Sequence, residues 1–361
     1  MAEIAALRLS IVHVDSGRAF RGGQQALLTL ARGLRARGHA QRIVAPPGSA
    51  LIQRAREEGF DAMAAGNILA LRRSLRGFPI VHAHSGRAQT LAYLASLGLP
   101  ATRVVTRHVA FEPRWPRIHA LKYSATCDGI IAVSKAVRKV LVEAGVPEEK
   151  IAVIPGGVDL PREIATPEQR CAARRKYNLA ASDFVVGHLG AFSHEKGQDV
   201  AIAAAAILRD RLPSLRMILA GEGSPPAPAP RGAGISVPGG ATVLLPGFIA
   251  DREEFFAALD LFIMPSRSEG WGLAAVEALA RGIPVLASKT GGLAEIVEAG
   301  ETGWLVPPGD AQALAEAIAH AESDPKSLRI MTFEASKRSH RFSSDGMAEL
   351  TELFYLTKNK T

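Results

Sequence analysis

The stretch PSRSEGWGLAAVEALARGIPV, residues 265–285, decides the fold. It follows the apolar run Leu261 to Met264, turns on Gly270 and Gly272, and enters a helical stretch that Gly282 ends. A buried strand, a Gly-rich turn and a helix together make the repeating unit of a parallel α/β sheet. Glu269 lies in the loop and Glu277 inside the helix, with seven residues between them. At about 1.5 Å per helical residue the two carboxylates stand on the order of 10 Å apart. Between them the amides of Gly270 and Gly272 are bare at a helix N-terminus, where partial positive charge suits an anion such as a diphosphate. One carboxylate can then accept hydrogen bonds from sugar hydroxyls and the other from ribose hydroxyls.

Outward from this unit the same alternation recurs. Strands are expected at Leu9 to Val14, Gln41 to Ala45, Ile80 to Ala83, Arg103 to Thr106, Gly129 to Val133 and Ile151 to Ile154. A second series falls at Phe184 to Leu189, Arg216 to Ala220, Thr242 to Leu245, Leu261 to Met264 and Pro284 to Ala287. Helices separate them, and Pro155 to Pro167 reads as a linker. The expected fold class is α/β, with two Rossmann-like doubly wound domains over 1–160 and 161–343 facing a central cleft. A helix in 344–361 is expected to pack back on the N-terminal domain. The cleft between the domains is the default site.

Composition narrows the classes further. The chain has 361 residues, 47% of them hydrophobic, which is enough for two cores and excludes a disordered tail. Its two cysteines, Cys127 and Cys171, make neither a disulfide framework nor a Cys-rich metal site. No apolar run approaches the roughly 18 residues of a membrane span, and the first residues do not have the basic-then-apolar pattern of a signal peptide. A cytoplasmic protein is the expectation. The dinucleotide fingerprint GxGxxG is missing after the first strand, where the loop reads DSGRAFRGGQQ, and no P-loop GxxxxGK[ST] occurs. Neither a nicotinamide oxidoreductase nor a P-loop NTPase is therefore expected.

The net charge of +8 divides unevenly. Residues 1–160 contain 22 Lys and Arg against 11 Asp and Glu, whereas the remainder carries a net −3. The asymmetry suggests that the N-terminal half faces something anionic, whether nucleic acid, a phosphate-bearing substrate or a lipid surface, and composition alone does not choose between them. Within it, EPRWPRIHALKY, residues 112–123, sets Arg114, Arg117 and Lys122 beside Trp115 and Tyr123, and Arg103, Arg107, Arg138 and Lys139 add to the charge. Basic and aromatic residues in one segment suit an anionic membrane surface. The positive charges form no recognisable nucleic-acid module, so no nucleic-acid partner is expected.

Glu269, Glu277 and their intervening residues resemble the E-x7-E motif of retaining family 4 glycosyltransferases of GT-B fold. The resemblance extends over nearly the whole chain, through Gly22-Gly23, VHAHS at 81–85, TRHVAFE at 106–112, AVSKAV at 132–137, VIPGGVD at 153–159, HEKG at 194–197, AGEG at 220–223 and GGLAEIV at 291–297, all in the family's order. It implies that Glu277 holds the ribose of a nucleotide-sugar donor and Glu269 a hydroxyl of its sugar. It further implies that amides of Gly270, Trp271, Gly272 and Leu273 bind sugar and phosphate, and that Gly22 and Gly23 approach the phosphates with bare amides. Lys196 would neutralise the leaving diphosphate, and His108 would stand beside the reacting centre. The implied catalytic residues are thus Glu269, His108 and Lys196.

The sequence departs from the family in two places. The family's Arg five residues before the Lys is Ala191 here, for which His194 or Arg267 would have to substitute. After AGEG, residues 224–240 read SPPAPAPRGAGISVPGG, whose prolines and glycines forbid a regular helix and imply an irregular loop. No D-x-D triplet occurs, so the diphosphate charge falls to Lys196, amides and a helix dipole; neither metal nor cofactor is expected. His82, His84 and His108 do not have the spacing of a zinc cluster; one of the first two can face the cleft, but a satisfied strand-end role is the expectation for them. The resemblance implies transfer with retention to a glycan or glycolipid acceptor, lipid-linked or of lipopolysaccharide type, by a protein associated peripherally with the inner face of the membrane. A GT-B sugar-nucleotide epimerase, a glucan synthase, a nucleic-acid-binding protein and a non-catalytic relative are the alternatives.

Overall fold

A computed structural model of the protein describes residues 8–110, 115–224, 235–236 and 242–358. The chain forms two compact units, one of Met1–Val158 with Phe342–Thr361 and the other of Asp159–Arg341. The first sheet consists of β1 (Ser10–Val14), β2 (Ala40–Ala45), β3 (Asp61–Ala64), β4 (Ile80–Ala83), β5 (Thr102–Arg107), β6 (Gly129–Ala132) and β7 (Ile151–Val153). Their order is β3-β2-β1-β4-β5-β6-β7 and every pairing is parallel. The order reverses between β1 and β4, so the crevice for a ligand lies at their carboxyl ends.

The second sheet consists of β8 (Phe184–Leu189), β9 (Leu215–Ala220), β10 (Ile235–Ser236), β11 (Thr242–Gly247), β12 (Leu261–Met264), β13 (Val285–Ser288) and β14 (Gly303–Val306). Its order, β10-β11-β9-β8-β12-β13-β14, reverses between β8 and β12. Only β10 is antiparallel among the described strands, paired with β11. Two doubly wound sheets are therefore present, as the strand pattern implies. Three strands escape the sequence reading, β3, β10 and β14, and all are edges, the two-residue β10 falling where an irregular loop is expected. β3 reads DAMA with one buried residue, and β14 begins on a glycine, so neither shows the continuous apolar run of a central strand. The proline-rich loop expected at 224–240 lies mostly outside the described residues.

Two of the motif serines turn out to be helix caps. Ser85 Oγ accepts from Ala88 N at 3.2 Å and Ser134 Oγ from Val137 N at 3.1 Å, which starts the helices Gly86–Ser96 and Lys135–Glu143 directly after β4 and β6. The helix Ser344–Lys358 returns to the first unit. Met347, Ala348, Phe354 and Tyr355 join Leu30, Leu34, Ile80, Val104 and Ile131 in its core. The chain re-enters beside its point of exit, where Val158 N donates to Phe342 O at 3.0 Å and Ser344 N to Val158 O at 2.9 Å.

Candidate functional site

In the second unit the HEKG turn and the Glu269 loop form one hydrogen-bonded assembly at the carboxyl ends of β8 and β12. Arg267 N donates to Glu195 O at 2.8 Å, and Lys196 Nζ lies 2.5 Å from Glu269 Oε2. Two glycines permit it. A Cβ on Gly197, at φ +69°, would stand 2.0 Å from Pro265 O, and one on Gly291, at φ +50°, 1.7 Å from Glu269 O. Only bare backbone allows the turn and the GGLAEIV loop to approach so closely. Gly270, Trp271 and Gly272 then lead into the helix Leu273–Ala280, whose first residue is Leu273 and whose fifth is Glu277. Lys196 and Glu269, picked from separate motifs, are thus neighbours, and both stand just before a helix N-terminus.

Glu277 is placed differently from Glu269. It is buried, and both its oxygens accept from Arg252 Nη1, at 2.5 Å for Oε2. Burial raises its pKa above the ordinary carboxylate value, against the pull of Arg252 and Arg281. Sequence reading missed Arg252, which stands in the short helix Arg252–Ala257 and carries no motif signal. Arg267, one proposed substitute at the Ala191 position, is held by Asp199 at 2.7 and 2.8 Å and donates to His194 O at 2.9 Å. Ala191 offers its carbonyl to Gln198 Nε2 at 3.0 Å.

A pocket of about 840 Å³ lies in this unit by Leu259, Asp260, Ile283 and Pro284, at the amino ends of β12 and β13. Ligands of doubly wound sheets bind at the carboxyl ends, and charges here are already paired, Arg170 with Asp260 and Arg281 with Glu253. It is therefore not the candidate site.

In the first unit the loop after β1 is shaped by Asp15, whose Oδ1 accepts from Gly17 N at 2.7 Å and Gln24 Nε2 at 2.9 Å. Gly22 and Gly23 open the helix Gly22–Ala36, and a Cβ on Gly23 would lie 3.9 Å from His108 Cδ2. The Gly-Gly turn and His108 are therefore neighbours within this unit. His108 Nε2 is sealed from solvent with no partner among the described residues, and burial lowers its pKa to about 4. A neutral imidazole with an unused nitrogen stands at the carboxyl end of β5.

Behind it lie histidines that linear spacing does not bring together. Ligand atoms of His13, His82 and His84 fall within 4.8 Å of one another. His82 Nδ1 meets Tyr355 Oη at 2.6 Å and its Nε2 meets Thr106 Oγ1 at 2.7 Å, so His82 is a satisfied core residue. His13 likewise uses both nitrogens, on His84 and Gln41. A metal bound here would have to displace these bonds. A smaller pocket of about 290 Å³ opens at the carboxyl ends of β1 and β2, lined among others by Asp15, Ser16, Arg18, Asn67 and Arg87.

The basic segment is corrected in part. Tyr123 is buried and receives Arg107 Nη1 at 3.2 Å, so neither forms a surface patch. Arg103 pairs with Asp128, Arg138 with Glu148 and Lys139 with Glu143, and Lys122 Nζ donates to Gly86 O at 2.7 Å. What stands out instead is apolar: Trp115, Ile118 and Leu121 are 61%, 64% and 68% exposed. Glu112, Pro113 and Arg114 lie outside the described residues.

Two doubly wound units, one with a Lys–Glu pair before a Gly-rich helix start and the other with a histidine beside a Gly-Gly turn, define the GT-B class of glycosyltransferases. Residues 169–338 match the family described as glycosyl transferases group 1, and residues 20–162 match glycosyltransferase family 4. The chain belongs to the family 4 glycosyltransferases of group 1. It is similar to the D-inositol 3-phosphate glycosyltransferase of Rhodococcus opacus, 32% identical over 304 residues covering 79% of this chain and 64% of that protein. The chain thus spans less than two thirds of the length of this relative. Among solved structures it resembles Anabaena Alr3699/HepE in complex with UDP-glucose, with TM-score 0.86, 23% identity and coverage of 97% and 100% of the two chains. It also resembles a glycosyltransferase from Rickettsia africae, with TM-score 0.84, 21% identity and coverage of 98% and 100%.

Proposed function

We propose that the protein transfers a sugar, with retention, from a nucleotide-diphosphate sugar to a lipid-linked or lipopolysaccharide-type glycan acceptor. The observation that carries this is the Lys196–Glu269 pair, 2.5 Å apart, immediately before the amides that open Leu273–Ala280. In the proposed reaction the amides and Lys196 take the charge of the departing diphosphate, and Glu269 orients a hydroxyl of the sugar. With the donor bound, Lys196 exchanges its partner Glu269 for phosphate oxygens. Glu277 accepts from the ribose while Arg252 offsets its burial. The lack of a D-x-D triplet supports a reaction without metal, and the departing phosphate oxygen takes the acceptor proton in a front-face displacement.

The first unit, with its excess of cations, receives the acceptor. Curated relatives are named for an inositol phosphate, which agrees with an acceptor rich in hydroxyls and carrying anionic charge. Trp115, Ile118 and Leu121, exposed around the start of Pro116–Thr126 with Arg117 among them, support docking of this unit on an anionic membrane.

A thermal-shift screen of nucleoside diphosphates and their sugars tests the donor, since a ligand that binds only the native state raises the melting temperature. Transfer assays in excess EDTA then test metal independence. If no nucleotide shifts the melting temperature and no sugar is transferred, the proposal fails.

A further inference from the structure

At the carboxyl ends of β1 and β4, hydrogen bonds fix where two imidazoles carry their protons. Gln41 Nε2 donates to Ala31 O at 2.9 Å. A carbonyl only accepts, so the amide nitrogen of Gln41 must face it, and Oε1 is left 3.0 Å from His13 Nε2. Oε1 also only accepts, which puts the proton of His13 on Nε2. Burial lowers the His13 pKa to about 4, so at neutral pH the ring has a single proton and its Nδ1 is a lone pair. That lone pair lies 3.1 Å from His84 Nε2, which must therefore donate.

His84 is buried too, with its pKa well below the usual value because of burial and the neighbouring imidazoles. Its one proton is on Nε2, and Nδ1 is left as a bare acceptor. That nitrogen has no partner among the described residues, and unlike His108 Nε2 it is not sealed from solvent. The ring packs against two others, His82 at 4.1 Å and His108 stacked at 6.4 Å between centroids, while its backbone is anchored where His84 N donates to Val14 O at 2.9 Å.

We propose that His84 binds the acceptor, its Nδ1 accepting a hydrogen bond from the acceptor's hydroxyl, with His13 and Gln41 acting as positioning residues that fix the tautomer. The assignment rests on the glycosyl-transfer reading above. A rigid lone pair at the strand-order switch point selects a hydroxyl or amine donor, whereas a protonated or flipped imidazole would not. The chain Ala31, Gln41, His13 and His84 runs from a backbone carbonyl to the ligand without a gap.

The tautomer is tested on the intact, ligand-free protein by NMR of ¹⁵N-labelled histidine. His84 is expected protonated on Nε2 and bare on Nδ1, with Gln41→Leu giving a mixture. With the acceptor in use, His84→Phe should raise the KM for acceptor about tenfold, the scale of one lost hydrogen bond, and leave the KM for donor unchanged. A proton on His84 Nδ1 in the parent, or an equal rise in both KM values, would overturn the inference. So would stoichiometric zinc binding that His84→Phe abolishes. Failure of the parent to transfer sugar to any acceptor would overturn the hydroxyl as ligand through the functional reading, and the NMR result distinguishes that case.

Discussion

Acidification from pH 7 to pH 5 is expected to destabilise the first domain, and the buried histidines are the cause. His13 is fully buried, with its pKa lowered from 6.5 to about 4. In the unfolded chain the same ring takes up a proton near its unperturbed value of about 6.5. The unfolded state therefore binds protons first as pH falls, and the native state loses stability. The loss starts near pH 6.5, approaches about 1.4 kcal/mol per pH unit, and levels off near pH 4 where native His13 is also protonated. Between pH 7 and pH 5 His13 alone accounts for about 2 kcal/mol. His82 and His84 are shifted in the same direction, by burial first and by neighbouring imidazoles second. Both therefore add to the loss over the same pH range, so that the roughly 2 kcal/mol from His13 is its lower bound.

Pulse labelling across a urea series reads this domain by itself. Cys127 is a buried free thiol in the first domain and Cys171 an exposed one in the second, so the first reports unfolding while the second serves as an internal standard. 4,4′-Dithiodipyridine reacts with thiols at both pH values. The Cys127 midpoint should fall sharply at pH 5, and His13→Gln should reduce the drop by about 2 kcal/mol. Equal midpoints at pH 7 and pH 5, or an unaltered drop in the variant, would refute the reasoning.

Glu269→Ala and Lys196→Ala should each cut turnover by about 10²-fold or more, on the scale of a lost oxyanion donor; turnover within threefold of the parent for both would sink the assignments. Arg252→Ala leaves Glu277 buried without its main partner and should cost about 1–3 kcal/mol in urea unfolding, with Glu277→Gln in the same chain restoring most of it. Gly197→Ala forces a methyl onto Pro265 O at positive φ and should lower stability by about 2 kcal/mol or more. Serine at Trp115, Ile118 or Leu121 should weaken sedimentation with anionic liposomes about tenfold each; no binding by the parent chain would count against membrane docking.

The central strands and the helix starts were readable because each has a local cause. Apolar runs mark β1, β4, β8 and β12, and glycines mark the turns that follow. Lys196 and Glu269 were also legible, since each belongs to a short motif with its own backbone requirement. Arg252 was not, because a single arginine in an ordinary helix signals nothing until the fold carries it to Glu277. The histidines illustrate the same limit. The sequence made a satisfied role the expectation for both His82 and His84, which holds for His82 alone; only the register of β1 against β4, with Tyr355 from the far end of the chain, separates the satisfied ring from the one with an open nitrogen. The exposure of Trp115 and the burial of Tyr123 were equally invisible, being set by which side of one helix faces the core.

The return of Ser344–Lys358 to the first domain has a consequence for synthesis. The second domain is contiguous, Asp159–Arg341, and all its strands have been made while Tyr355 is still untranslated. Until that residue leaves the ribosome, His82 has no Oη to meet Nδ1, and the apolar face of Leu30, Leu34 and Ile80 has no cover. The domain made first is therefore the domain completed last, and a nascent chain stalled before the final helix exposes the first core to chaperones and proteases.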